Sequence, residues 1–74
     1  MNTVSLEIVL RVVRDHGRGA RAIVNGRYLE LYPTAMALRV YTIPDGGMGF
    51  GDRVIADIAE RSGIPPHFFR NPPY

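Results

Sequence analysis

Asn25-Gly26, set between the strand-like runs 20–24 and 27–32, constrains this chain more than any other feature of its sequence. Asn-Gly between two such runs is the preferred two-residue loop of a β-hairpin, because both central positions of a type I′ turn need positive φ. A loop at these two residues fixes a register. Arg21 then faces Glu30 and Ile23 faces Tyr28, while Ala22 meets Leu29 and Ala20 meets Leu31. The two rows fall on opposite faces, so one side is apolar and the other carries an ion pair and an aromatic ring.

The flanking segments extend this pattern. In residues 3–14, Val4, Leu6, Ile8, Leu10 and Val12 alternate with Thr3, Ser5, Glu7, Val9, Arg11 and Val13. The alternation predicts a strand with one buried face. Leu6, Val9, Leu10 and Val13 also fit helical spacing, but the β-branched content favours the strand. Residues 15–19 read as a turn. After Pro33-Thr34, residues 35–43 read as a third sheet element, with Met36, Leu38 and Val40 on one face and Arg39 and Tyr41 on the other. Residues 44–51 form a Gly-rich loop that is expected to be mobile. Asp52 is a suitable N-cap for a helix over 53–62 with the apolar stripe Val54, Ile55, Ile58 and Ala59. Arg53, Asp57 and Arg61 lie four apart on its outer face and can pair. Gly63 suits a left-handed C′ position, with Ile64 closing back onto Ala59. One further helical turn fits 65–70, and the tail 71–74 cannot continue it. The expectation is a single α+β domain: a small antiparallel sheet of three to four strands (3–43), the loop, then one C-terminal helix and a short helical turn (52–70).

Composition narrows the functional classes. The 74 residues contain nine arginines and no lysine, seven acids, and no cysteine. A P-loop needs a lysine on the phosphates, so that class is excluded. Without cysteine there is no disulfide, zinc finger or thiol chemistry. A domain of roughly 60 residues buries only about 60% of its unfolded surface, so stability must come from one apolar core. No apolar run reaches the roughly 18 residues that span a bilayer. The first residues lack a basic region and include Glu7, so no signal peptide is expected, and the expected location is the cytoplasm.

The candidate sites are few. Gly47-Met48-Gly49-Phe50-Gly51 before a helix has the look of a phosphate loop, but GxGxxG spacing is absent and Asp52 would repel an anion. A flexible connector is the expectation, with Met48 and Phe50 as exposed anchors for a partner. Arg11, Arg14, Arg18, Arg21 and Arg27 sit in the first half with His16. Residues 1–39 hold six arginines and three acids, net +3, and residues 40–74 hold three arginines and four acids, net −1. Arginine forks suit carboxylates or phosphates, so an anionic partner surface, with nucleic acid as a weaker option, is expected there. His16 and His67 do not form a metal pair, and no acid pair is placed for acid–base work, so neither enzyme activity nor a cofactor is expected. Phe68 and Phe69, in a segment rich in proline, either cover the domain's own core or dock on another protein.

Residues 58–64, Ile-Ala-Glu-Arg-Ser-Gly-Ile, resemble the Ala-x-x-x-Gly-Ile/Val core of a helix-turn-helix, with Phe69 near the apolar position of the second helix and Arg70 as the side chain able to reach out. Pro72 stops that second helix after about two turns at most, short for a recognition helix. The length, the arginine-for-lysine composition and this half-motif together resemble the small proteins with which bacteriophages take over host machinery. The nearest type is the early transcription regulator of a Xanthomonas phage, which binds the β′ subunit of host RNA polymerase, displaces σ and permits antitermination. That resemblance implies a non-enzymatic inhibitor or regulator of a host protein complex, RNA polymerase first. A small DNA-binding regulator and an anti-CRISPR-type inhibitor of host defence are the alternatives. Monomer and dimer are both open.

Overall fold

The computed structural model describes residues 3–72, so the last two positions of the tail lie outside the described residues. The chain is an α+β fold with the order α1 (Leu6–His16), β1 (Arg21–Asn25), β2 (Tyr28–Tyr32), β3 (Arg39–Thr42), α2 (Asp52–Ser62) and α3 (His67–Arg70). The three strands form an antiparallel meander in the order β1-β2-β3, and the helices pack on one face of it.

The first segment is a helix, where its alternation predicts a strand. Ser5 is its N-cap, and the Oγ accepts a hydrogen bond from the Ile8 amide at 3.2 Å. Glu7 sits in the first turn, and Arg14 and His16 in the last, matching the helix dipole. Val9, Val12 and Val13 are fully buried on one helical face. Helix propensity disfavours valine by only a few tenths of a kcal/mol per residue, whereas burying each such side chain contributes about 1.5–3 kcal/mol. Packing therefore overrides local preference.

The hairpin forms, but its loop slides by one residue. Asn25 pairs with Tyr28, leaving Gly26-Arg27 as the loop, so Arg21 faces Tyr32, Ile23 faces Glu30, Ala22 faces Leu31 and Val24 faces Leu29. Gly26 has φ 62°, and Arg27 is not among the positive-φ residues. That is the sign pattern of a type II′ turn, with glycine first, in place of I′. The expected Arg21–Glu30 pair is absent. Because the register shifts by two residues, each side chain keeps its face.

The third strand is shorter than its apolar pattern suggests and begins only at Arg39. Tyr41 is the residue that enters the core, while Met36, Leu38 and Val40 are each about half exposed. The Tyr41 hydroxyl donates to Asp57 Oδ2 at 2.5 Å, which satisfies its polar end and lets the ring be buried.

In α2, Ile55, Ile58 and Ala59 are fully buried, and Val54 packs at the margin. Its N-cap is Gly51, not Asp52, and no side chain caps it. Asp52 is instead the first helical residue, and its carboxylate holds Arg70 at 2.8 Å. The C-terminus is a Schellman motif: Gly63 is left-handed, its amide donates to Glu60 O, and the Ile64 amide donates to Ala59 O at 3.0 Å.

The end of the Gly-rich loop is fixed, contrary to the expected mobility. Val4 and Phe50 exchange two backbone hydrogen bonds, of 3.0 Å from the Val4 amide and 2.8 Å from the Phe50 amide. Gly49 lies flat against Val4, and a β-carbon there would fall 2.6–2.8 Å from the Val4 backbone atoms. Only glycine fits this approach. We expect Gly49→Ala to destabilise the fold by more than about 1 kcal/mol in urea denaturation. Gly51→Ser, at an open N-cap position, should stabilise it by about 0.5–1 kcal/mol.

Candidate functional site

The sheet divides the molecule into a closed side and an open side. Leu29, Leu31 and Tyr41 point into the core with the valines of α1, the isoleucines of α2 and Phe69. The opposite face carries Ile23, Tyr28 and Val40, which are 41%, 45% and 48% exposed. At its centre Glu30 organises a small polar network. Its Oε1 accepts from the Tyr32 hydroxyl at 2.9 Å, and its Oε2 accepts from Asn25 Nδ2 at 3.1 Å. The Arg21 guanidinium lies 6.0 Å from the Tyr32 ring centre. The hydrogen bond to Glu30, with desolvation and the Glu30 charge, raises the Tyr32 pKa, so this phenol stays a neutral donor.

A second cluster ties β3 to α2. Asp57 accepts from Tyr41 and, through both oxygens, from Arg61 Nε at 3.2 Å, and Arg39 Nε lies 4.0 Å away. Desolvation, then the bond to Asp57 and its charge, pushes the Tyr41 phenol well above its usual range. The Tyr41 hydrogen bond first, then Arg61 and Arg39, holds the Asp57 carboxyl below its usual range against the opposing effect of desolvation. A phenol that keeps its proton beside a carboxylate already occupied by donors forms a clasp; neither group exchanges a proton near neutral pH.

The residues singled out from the sequence separate into two groups. Arg11 and Arg14 lie on the exposed side of α1 and border a groove shared with β1, and Arg21 borders its continuation. Arg14 also holds Asp15 at 2.9 Å. Arg18, at φ 48°, occupies the turn between α1 and β1. Met48 is 70% exposed. Phe50 and Phe69 are each 2% exposed, so neither is an exposed anchor. Phe50 is buried by its pairing with Val4, and Phe69 by the helical turn that folds it inward. Phe68 is half-buried, edge-on to the rings of His16 and His67. Arg70 is engaged by Asp52. Ile23, Tyr28 and Val40, on the open face, were missed as candidates. Strand alternation groups them but does not say which row faces water.

Among the described residues no group of three or more His, Cys, Asp or Glu side chains could hold a metal ion, and no helix is long and apolar enough to cross a membrane. No protein-family model, curated protein or solved structure matches this chain.

The clasp has a measurable signature. The folded-state pKa of Asp57 is depressed, so its stabilisation is present above the unfolded value of about 3.9 and is lost as pH falls through the folded value. The melting temperature should therefore drop below about pH 4, with a shallower drop in Asp57→Asn. Tyr41→Phe should cost about 1–2 kcal/mol at pH 7, since the carboxylate loses a donor but remains partly solvated.

Proposed function

We propose that this chain is a non-enzymatic binding module that regulates another protein. The observation that carries this reading is the open sheet face, where Ile23, Tyr28 and Val40 surround the Glu30 network and, among the described residues, no element lies over them. Contiguous exposed apolar surface rimmed by polar groups is the mark of a protein-interaction site. Tyrosine is the residue type best suited to anchor it, because it supplies large rigid area and a polar tip.

Following the resemblance drawn from the sequence, the partner proposed is bacterial RNA polymerase, bound in the host cytoplasm so as to displace σ and permit antitermination. Inhibition of a defence complex of the anti-CRISPR type would use the same face and differs in which complex is captured. The DNA-binding alternative is less well supported. The second helix of the half-motif is four residues long, about 6 Å, too short to lie along a major groove. Arg70 and Arg61, which would contact DNA, are held by Asp52 and Asp57.

The test is gel filtration of the protein with purified Xanthomonas RNA polymerase. One-to-one co-elution is expected, and Tyr28→Lys with Val40→Lys should weaken it at least about tenfold while leaving the thermal melt unchanged. Absence of co-elution sinks the polymerase assignment. Recovery of nucleic acid alone from a bacterial lysate, or binding indifferent to the open-face substitutions, sinks the module reading itself.

A further inference from the structure

The Asn25-Gly26 pair that sets the hairpin also carries a chemistry of its own. The backbone nitrogen of the residue after an asparagine can attack the side-chain amide and close a succinimide ring. The reaction is easiest when that residue is glycine, which has no β-carbon to crowd the approach. The chain has three asparagines, and only one is followed by glycine. Asn2 precedes β-branched Thr3, and Asn71 precedes Pro72, which has no N–H.

The fold leaves the pair accessible. Residues 23–28 are all exposed, and a β-carbon at Gly26 would meet nothing within 4 Å. Among the described residues no backbone carbonyl accepts from the Gly26 amide, so its nitrogen is not tied into the ladder. The two arms of the turn are held unequally. On one side the Arg27 carbonyl accepts from the Ile43 amide at 2.8 Å, and β2 is paired along both of its edges. On the other, Asn25 is the last residue of β1, an edge strand whose one neighbour is β2. Fraying at the end of an edge strand breaks few contacts, so the backbone at Asn25 can turn toward ring closure with the rest of the sheet in place.

The surroundings of the side chain decide the consequence. Asn25 Nδ2 donates to Glu30 Oε2 at 3.1 Å, and the other Glu30 oxygen accepts from Tyr32. Loss of the amide removes one of these two donors and sets a carboxylate where it stood. Like charges facing each other across neighbouring strands are destabilising.

We propose that Asn25 is a self-modification site, at which spontaneous deamidation places an acid beside Glu30 and loosens the hairpin and its polar network. The Gly26 nitrogen bonds to Asn25 Cγ as the Cγ–Nδ2 bond breaks, and ammonia leaves with the proton given up by the Gly26 amide. Water then adds across one of the two ring C–N bonds. Opening at Cγ yields aspartate. Opening at the main-chain carbonyl yields isoaspartate, whose backbone is one carbon longer and no longer matches the two-residue turn closed by Asn25 and Tyr28. The change is one-way and needs no enzyme, cofactor or oxidant. It alters the open face but requires no partner, so it stands or falls apart from the module reading.

The experiment is incubation of the full chain at mildly alkaline pH, read by peptide-resolved mass spectrometry and by enzymatic methylation of isoaspartate. Conversion at Asn25 is expected to run at least about tenfold faster than at Asn2 or Asn71, because only Gly26 presents an unhindered amide. Asn25→Asp mimics one product and should lower the melting temperature at neutral pH. That loss should shrink in high salt and in a Glu30→Gln background, which separates charge repulsion from a mere change of turn residue. The proposal is overturned if Asn25 of the folded chain stays intact over the time in which the urea-unfolded chain converts it, or if Asn2 or Asn71 converts first. An Asn25→Asp protein that melts like the parent, or one whose loss is undiminished by Glu30→Gln, would overturn it equally.

Discussion

The backbone exchange between Val4 and Phe50 is the constraint on which the rest of the fold depends. It joins Val4, two residues before α1, to Phe50, two residues before α2, with all three strands in the chain between them. With both helix starts fixed at one point, Val9, Val12 and Val13 and Ile55 and Ile58 are delivered to the same side of β2. The contact is possible because Gly49 offers no β-carbon to the Val4 backbone. With no cysteine in the sequence, no disulfide can tie these segments together, and the two hydrogen bonds beside the buried Phe50 ring do so.

One consequence is asymmetry. Because the helices gather on one face, the other face of the sheet keeps its apolar side chains in water, and the β1 edge remains open beside α1. Two of the three arginines in residues 40–74 are held by acids on α2, Arg61 by Asp57 and Arg70 by Asp52, and on α1 Arg14 holds Asp15.

Local signals in the sequence were legible and long-range ones were not. The hairpin, the α2 stripe and the Gly63 C-cap are each decided within a few residues, and each forms where its residues predict, apart from the one-residue slide of the turn. Residues 6–16 fit two periods, and what decides between them is burial of Val9, Val12 and Val13 in a core built by elements distant in sequence. The Ser5 cap and Glu7 in the first turn were the signals for the helix. Tyr41, not Val40, faces inward because it pairs opposite buried Leu29, and its hydroxyl is satisfied by Asp57, a residue from another element. The sites suffered the same way: Phe50 and Phe69 look like free anchors until the elements that bury them are in place, and Tyr28 looks like an ordinary strand residue until its face is found uncovered.

The most direct measurement is amide hydrogen exchange at Phe50 and Val4 under native conditions. Protection close to that of Leu29 and Leu31 in the central strand is expected, because opening this pair should require global unfolding. Exchange of the Phe50 and Val4 amides at the fast rate of the neighbouring exposed turn around Gly46 and Met48 would contradict the clamp, and with it the common origin of the core and of the two open surfaces.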